Sequence, residues 1–208
     1  MSNSDTKPTP SLAFSTLKLK TELLENLSSM GYNEMTPIQA QSLPAIIAGE
    51  DVIGQGKTGS GKTAAFGLGL LNKLDVKRFR IQTLVLCPTR ELAEQVHANI
   101  VEYAEHLPLR TYAVYGGVSI NPQMMKLRKG IDVLVATPGR LLDLFRQNAV
   151  KFNQLQTLVL DEADRMLDLG FADELRAVYA ALPKKRQTLL FSATFSEAIR
   201  LLAGQMLD

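Results

Sequence analysis

Val52-Ile53-Gly54-Gln55-Gly56-Lys57-Thr58-Gly59-Ser60-Gly61-Lys62-Thr63 is the stretch whose reading decides the fold. A short apolar run leads into a glycine-rich turn. The turn opens into Ala64, Ala65 and Leu68, residues that favour a helix. Gly56 and Gly61-Lys62-Thr63 stand at the spacing of a G-x-x-x-x-G-K-[ST] phosphate loop. Each residue type has a physical task there. Glycine lets the backbone turn tightly and approach a phosphate. The successive N–H groups of Gly56, Lys57, Thr58, Gly59, Ser60 and Gly61 can then face one anion. The helix that follows brings its positive end to the same point. The Lys62 ammonium can reach the β- and γ-phosphates, and the Thr63 hydroxyl can ligate Mg²⁺.

Outward from this loop, the chain alternates between short apolar runs and helical patterns. Toward the N-terminus, Met1 to Ser11 is polar, carries Pro8 and Pro10, and is expected to be a disordered tail. Phe14 is the first large apolar residue and reads as an anchor. A helix is expected from Lys20 to Met30, ended by Gly31. Thr36-Pro37 then reads as N-cap and first residue of a helix running to Ala48. Gln39 falls in its first turn. Its amide offers a donor and an acceptor together, as an adenine edge requires. Taken alone, the simpler reading of Gln39 is a solvated polar residue.

Toward the C-terminus, strands are expected at Thr83–Cys87, Thr111–Tyr115, Asp132–Ala136, Thr157–Leu160 and Thr188–Phe191. Helices are expected at Lys62–Leu74, Arg90–Glu105, between Pro122 and Lys129, after Arg140, near Phe171–Leu182 and at Glu197–Met206. Strand–helix alternation implies an α/β fold, a mostly parallel central sheet with helices on both faces. In such a sheet ligands bind beyond the carboxyl ends of the strands. The polar motifs fall at those ends.

Composition narrows the function classes. The chain has 208 residues, 46% of them hydrophobic, enough for one sizeable domain. With 23 basic and 21 acidic residues, its net charge of +2 is not that of a bulk polyanion binder. A few placed Arg and Thr residues can nevertheless hold a nucleic-acid backbone. Cys87 is the single cysteine and allows no internal disulfide; with two histidines, a structural zinc site is not expected. No apolar run suggests a signal core or a membrane span, so a cytoplasmic location is the expectation. A monomer is expected as well.

The phosphate loop needs a partner for Mg²⁺. Asp161 ends an apolar strand, where a Walker B acid stands, and Glu162 beside it can orient or deprotonate a water. A dication offsets the repulsion between the two carboxylates. Ser192-Ala193-Thr194 ends a neighbouring strand; alone it would be an ordinary turn.

Seven ordered motifs now stand together. They are Gly31-Tyr32 through Gln39, the phosphate loop, Pro88-Thr89-Arg90-Glu91-Leu92-Ala93, Gly116-Gly117, Thr137-Pro138-Gly139-Arg140, Asp161-Glu162-Ala163-Asp164 and Ser192-Ala193-Thr194. From Phe14 onward the chain resembles the first RecA-like, P-loop NTPase domain of a DEAD-box RNA helicase, spanning residues 12–208. Ala64 to Leu70 and Leu86-Cys87-Pro88-Thr89 look most like bacterial DbpA-type helicases, which act on ribosomal RNA. The resemblance implies ATP or ADP with Mg²⁺ as cofactors and RNA as polymer. It implies that Gln39 reads adenine, with Phe14 packing against the base and Tyr32 in the same motif. Lys62 and Thr63 would hold phosphate and Mg²⁺, Asp161 would bind Mg²⁺ through water, and Glu162 would be the catalytic base. Ser192 and Thr194 would couple hydrolysis to strand separation by contacting the Asp161–Asp164 loop. Pro88, Thr89, Arg90, Gly117, Thr137 and Arg140 would line the RNA backbone.

Two departures from that pattern stand out. Gly56 occupies a position where the family usually has Ala, which restores the general phosphate-loop consensus. The resemblance also implies a second RecA-like domain carrying an arginine finger, expected to lie outside these 208 residues. Such a finger is worth roughly 10³–10⁵ in rate, so this chain alone is expected to bind adenine nucleotide, barely hydrolyse it and not unwind duplexes. The competing readings are an RNA-binding scaffold without turnover, a small-molecule P-loop kinase, and DNA in place of RNA. Intact Lys62, Asp161 and Glu162 argue against the first, and nothing suggests the lid the second needs. The third hinges on 2′-OH contacts, which a sequence does not display.

Overall fold

The computed structural model describes residues 13–57, 61–75, 77–78 and 80–207. The expected tail, Met1 to Ser11, lies outside them. Ala13 bridges Glu34, and a 3-10 turn spans Phe14–Thr16. The elements then run α1 (Thr21–Ser29), α2 (Pro37–Ile47), β1 (Val52–Gln55), α3 (Lys62–Lys73), β2 (Thr83–Leu86) and α4 (Arg90–Tyr103). They continue β3 (Thr111–Val114), α5 (Ile120–Arg128), β4 (Val133–Ala136), α6 (Pro138–Arg146) and β5 (Thr157–Leu160). The chain ends α7 (Ala163–Asp168), α8 (Ala172–Ala181), β6 (Gln187–Ser192) and α9 (Glu197–Met206).

Among the described residues the strands form one six-stranded sheet, ordered β1-β6-β5-β2-β4-β3, with every pairing parallel. The strands are short and apolar because both faces are covered. The period-2 alternation sorts their side chains. Val85, Val133, Val135, Val159, Leu189 and Phe191 face a core built with α1 to α4. Leu84, Leu86, Leu134, Leu158, Leu160 and Leu190 face a second core built with α5 to α9. Each fully buried side chain of this kind contributes about 1.5–3 kcal/mol. Close packing of α2 on α3 depends on Gly69, where a Cβ would overlap the Ile46 side chain.

Three elements differ from the sequence-based expectation. Helix α6 starts at Pro138, so Arg140 lies in its first turn rather than ahead of it. Helix α5 starts at Ile120, ahead of Pro122. Pro122 sits in the first turn, where a missing N–H leaves no intrahelical bond unmade. Helix α7 was not anticipated, since Asp161 to Asp164 reads as a loop. Glu162 adopts a left-handed conformation (φ 52°, ψ 53°) that turns the chain directly into this short helix.

The strand order divides the rim. Loops after β1, β6 and β5 carry the phosphate loop, Ser192–Thr194 and Asp161–Asp164, side by side. Loops after β2, β4 and β3 carry Pro88–Arg90, Thr137–Arg140 and Gly116-Gly117. One half of the rim holds the nucleotide motifs and the other the candidate backbone track.

Candidate nucleotide site and nucleic-acid rim

Gly61 begins the site. It is the N-cap of α3 and lies at φ +87°, a conformation that favours glycine. A Cβ there would come within 2.5 Å of Gln39 Nε2 and 2.8 Å of Thr36 Oγ1. Gln39 is 5% exposed, so it is not the solvated residue that its simplest reading suggests. Its Oε1 accepts from the Thr36 backbone N–H at 2.9 Å, and its Nε2 donates to the Gly61 carbonyl at 3.1 Å. The amide thereby closes the first turn of α2 in a capping-box pattern and ties that turn to the phosphate loop. At the loop's other end, the Gly56 N–H donates to the Ser192 carbonyl at 3.0 Å, and Lys57 is exposed. Thr58, Gly59 and Ser60 lie outside the described residues.

Lys62 and Asp161 are both buried, and Lys62 Nζ lies 2.8 Å from Asp161 Oδ1 and 4.0 Å from Glu162 Oε1. The ammonium is thus the close counter-charge of the Asp161 carboxylate, and both groups are cut off from solvent. Burial pushes the Asp161 carboxyl above the usual carboxylate range, and the Lys62 charge opposes that shift. A buried carboxylate beside the helix that begins Lys62-Thr63 fits a dication held with the Thr63 hydroxyl. Glu162 holds a left-handed backbone that costs a non-glycine residue roughly 1–2 kcal/mol. Such strain is found where a side chain must be aimed.

A cavity of about 340 Å³ opens beside these groups, lined by Phe14, Tyr32, Gln39, Gly61, Lys62 and Thr63. The two aromatic residues differ in exposure. Phe14 is only 4% exposed and belongs to the core, whereas Tyr32 is 52% exposed. Both line the cavity, Tyr32 with free ring surface and Phe14 as part of its wall. Helix α4 supplies the opposite wall through Leu92, Gln95, Asn99 and Tyr103.

Of the two residues expected to touch the Asp161–Asp164 segment, one does so by side chain. Thr194 Oγ1 donates to Asp164 Oδ2 at 3.2 Å. The Ser192 hydroxyl is buried and makes no hydrogen bond among the described residues; its carbonyl, on the β1 side of β6, accepts from the Gly56 N–H. Sequence placed both on one turn. The strand register instead points the Ser192 side chain into the protein.

The other half of the rim is pre-assembled. Thr89 caps α4, its Oγ1 accepting from the Leu92 N–H at 3.2 Å, with Pro88 just before it. The Arg90 guanidinium lies over the Tyr115 ring, 4.7 Å from its centroid, and pairs with Glu94 at 3.3 Å. Gly117 takes φ +81° in the loop after β3. Thr137 is the N-cap of α6. Arg140 donates to Gln123 Oε1 and to the Val118 carbonyl, both at 2.9 Å. Buried Gln123 also donates to the Tyr115 carbonyl at 3.2 Å. Arg140 thus clamps the Gly116–Val118 loop to α6, with part of its guanidinium engaged inside the protein.

Comparison with known proteins matches this arrangement. The DEAD/DEAH box helicase profile covers residues 36–202. The chain belongs to the DEAD-box helicase family. It is 52% identical over 196 residues to the ATP-dependent RNA helicase DbpA of Escherichia coli, covering 93% of this chain and 43% of that protein. It is 44% identical over 196 residues to the DEAD-box ATP-dependent RNA helicase CshA of Streptococcus pneumoniae, covering 94% and 37%. The crystal structure of a DEAD box protein from Methanococcus jannaschii superposes with a TM-score of 0.90 at 34% identity, covering 94% of this chain and 54% of that one. The chain therefore spans about 40% of the length of these curated relatives. The DEAD-box tetrad itself is Asp161-Glu162-Ala163-Asp164.

Sequence reasoning missed two contributors to this DEAD-box site. Gln123 is the partner of Arg140. The α4 wall is the second. Leu92, Gln95, Asn99 and Tyr103 stand at steps of three, four and four, one stripe of a helix. Two carboxamides inside an otherwise apolar stripe were the available signal.

Proposed function

We propose that this chain is the ATP-binding half of an ATP-dependent RNA helicase, which couples ATP binding and hydrolysis to RNA unwinding or ribonucleoprotein remodelling in the cytoplasm, with ribosome assembly as its setting. The observation that carries this reading is the buried Lys62–Asp161 pair beside a cavity framed by Gln39, Tyr32 and the phosphate loop. Lys62 exchanges Asp161 for the β- and γ-phosphates. Thr63 and Asp161 would hold Mg²⁺, Asp161 through water, and a dication held there would supply charge neutralisation at the phosphate oxygens. Glu162 takes the proton of the attacking water. The contact of Thr194 with Asp164 links that segment to the end of β6. Arg90, Thr89, Pro88, Gly117, Thr137 and Arg140 hold RNA through its backbone, so recognition follows shape and phosphate rather than base sequence. The arginine finger and the rest of the RNA track belong to a second RecA-like domain. The chain alone, a monomer, binds nucleotide with little turnover and no unwinding.

Calorimetric titration of ADP–Mg²⁺ and GDP–Mg²⁺ into the chain and into Gln39→Ala tests the reading. ADP should bind more tightly than GDP, and the variant should lose most of that preference. Equal binding of both nucleotides, unchanged in the variant, would remove the adenine assignment. Robust RNA-stimulated hydrolysis by the purified chain would overturn the claim that the isolated half is nearly inactive.

A further inference from the structure

Helix α4 contributes polar groups to the nucleotide cavity that the phosphate-loop and adenine assignments leave unused. Leu92, Gln95, Asn99 and Tyr103 form one stripe along it, and all four line the cavity. A stripe that merely packed on its neighbours would be apolar throughout, as Ala93, Val96 and Ile100 are on the adjacent buried face. Among the described residues neither the Gln95 nor the Asn99 amide has a hydrogen-bond partner, yet each carries two donors and an acceptor. Beyond them, burial, the nearby Tyr32 and Glu102 push the Tyr103 hydroxyl up to about 12, which keeps it a neutral phenol at the cavity wall.

The cavity's other walls are assigned by chemistry. Gln39 and Tyr32 suit a base, and Gly61, Lys62 and Thr63 suit phosphates. A nucleotide whose ends are held at those two places must carry its sugar between them. The sugar's hydrogen-bonding groups are its 2′- and 3′-hydroxyls, each a donor and an acceptor. The α4 amides supply the matching pair.

We infer that Gln95 and Asn99 bind the ribose hydroxyls of the nucleotide and make the site selective for ribonucleotides. This rests on the nucleotide reading above and assigns it a further specificity element. The same helix begins at Thr89 and Arg90, so one rigid element would touch the backbone track at its first turn and the sugar in its second and third.

The test is calorimetric titration of ADP, 2′-deoxy-ADP and 2′,3′-dideoxy-ADP, each with Mg²⁺, into the wild-type chain, Gln95→Ala, Asn99→Ala and the double variant. Both positions are solvent-accessible on a helix, where alanine is well tolerated, and circular dichroism confirms folding. The wild type should bind ADP about five- to tenfold more tightly for each hydroxyl retained. The double variant should bind ADP more weakly and no longer distinguish the three ligands. Unchanged ADP affinity in the variants overturns the inference. So does weaker binding with discrimination intact, which would place the amides on the base. Failure of the folded wild type to bind ADP at all would strike the nucleotide reading itself.

Discussion

Removing the Lys62 ammonium should make the stability of the nucleotide-free chain depend steeply on pH. Asp161 is fully buried, and Lys62 Nζ at 2.8 Å is its nearest counter-charge. Breaking a buried pair by deleting one partner costs about 3–5 kcal/mol. In Lys62→Met the carboxyl can limit that cost by taking up a proton. Holding a proton at pH 7 on a group of ordinary value near 3.9 costs about 4 kcal/mol, at about 1.4 kcal/mol per pH unit. The sign follows from the direction of the shift. Burial already raises Asp161 above its unfolded value, and losing Lys62 raises it further. A raised acid binds more protons folded than unfolded, so its contribution is fully present below the unfolded value near 3.9 and is lost as pH rises through the folded value. Lys62→Met should therefore lose up to about 1.4 kcal/mol per unit between pH 5 and pH 7, beyond any slope of the wild type.

Asp161→Asn should be milder, because Glu162 remains 4.0 Å from the ammonium. The double variant should be less destabilised than Lys62→Met alone, since an orphaned buried amide costs about 1–3 kcal/mol. The assay is urea unfolding followed by circular dichroism at pH 5, 6 and 7, without nucleotide or Mg²⁺. Additive single effects, together with a Lys62→Met stability that does not fall with pH, would refute the argument that this pair stands alone in a dry site.

Two further outcomes are expected. In a protein carrying this chain joined to its second RecA-like domain, Glu162→Gln should retain ADP affinity while RNA-stimulated hydrolysis falls by at least about 10²-fold, the scale of a lost general base; steady-state turnover with wild-type rates would exclude Glu162 from that role. Gln123→Leu removes the bonds to Arg140 and the Tyr115 carbonyl and should cost about 1–3 kcal/mol in urea unfolding. It should weaken single-stranded RNA binding without changing ADP affinity, and unchanged stability and RNA binding would show that the clamp carries nothing.

What the sequence disclosed and what it hid follow from the range of the interactions. β2, β4 and β5 were legible because a strand covered on both faces is a continuous apolar run. Lys62, Asp161 and the rim residues were legible because each lies at a strand end in a motif of fixed spacing. The sheet order was not legible. It is set by how distant helices cover the two faces, and without it the division of the rim into nucleotide and backbone halves cannot be drawn. Gln39 was ambiguous because one amide serves as capping group and as contact to Gly61, and only three-dimensional proximity shows the second partner. Ser192 and Thr194 look equivalent in a tripeptide, yet the pleat sends one hydroxyl inward and leaves the other to meet Asp164. The left-handed turn at Glu162 has no local sequence signal, since glutamate does not favour it.

The Lys62–Asp161 pair also bears on how nucleotide and dication bind. On the proposed reading, Lys62 turns from Asp161 to reach a phosphate, and Asp161 turns toward the dication. If Lys62 alone changed partner, the Asp161 carboxylate would be left buried beside Glu162 with no positive neighbour at all. If Asp161 alone changed partner, the ammonium would keep only Glu162 at 4.0 Å. Each half-exchange strands a charge in a buried site. When both exchange together, every charge finds an opposite. On that reading, the burial of the two side chains couples nucleotide and dication binding through one ion pair that opens for both.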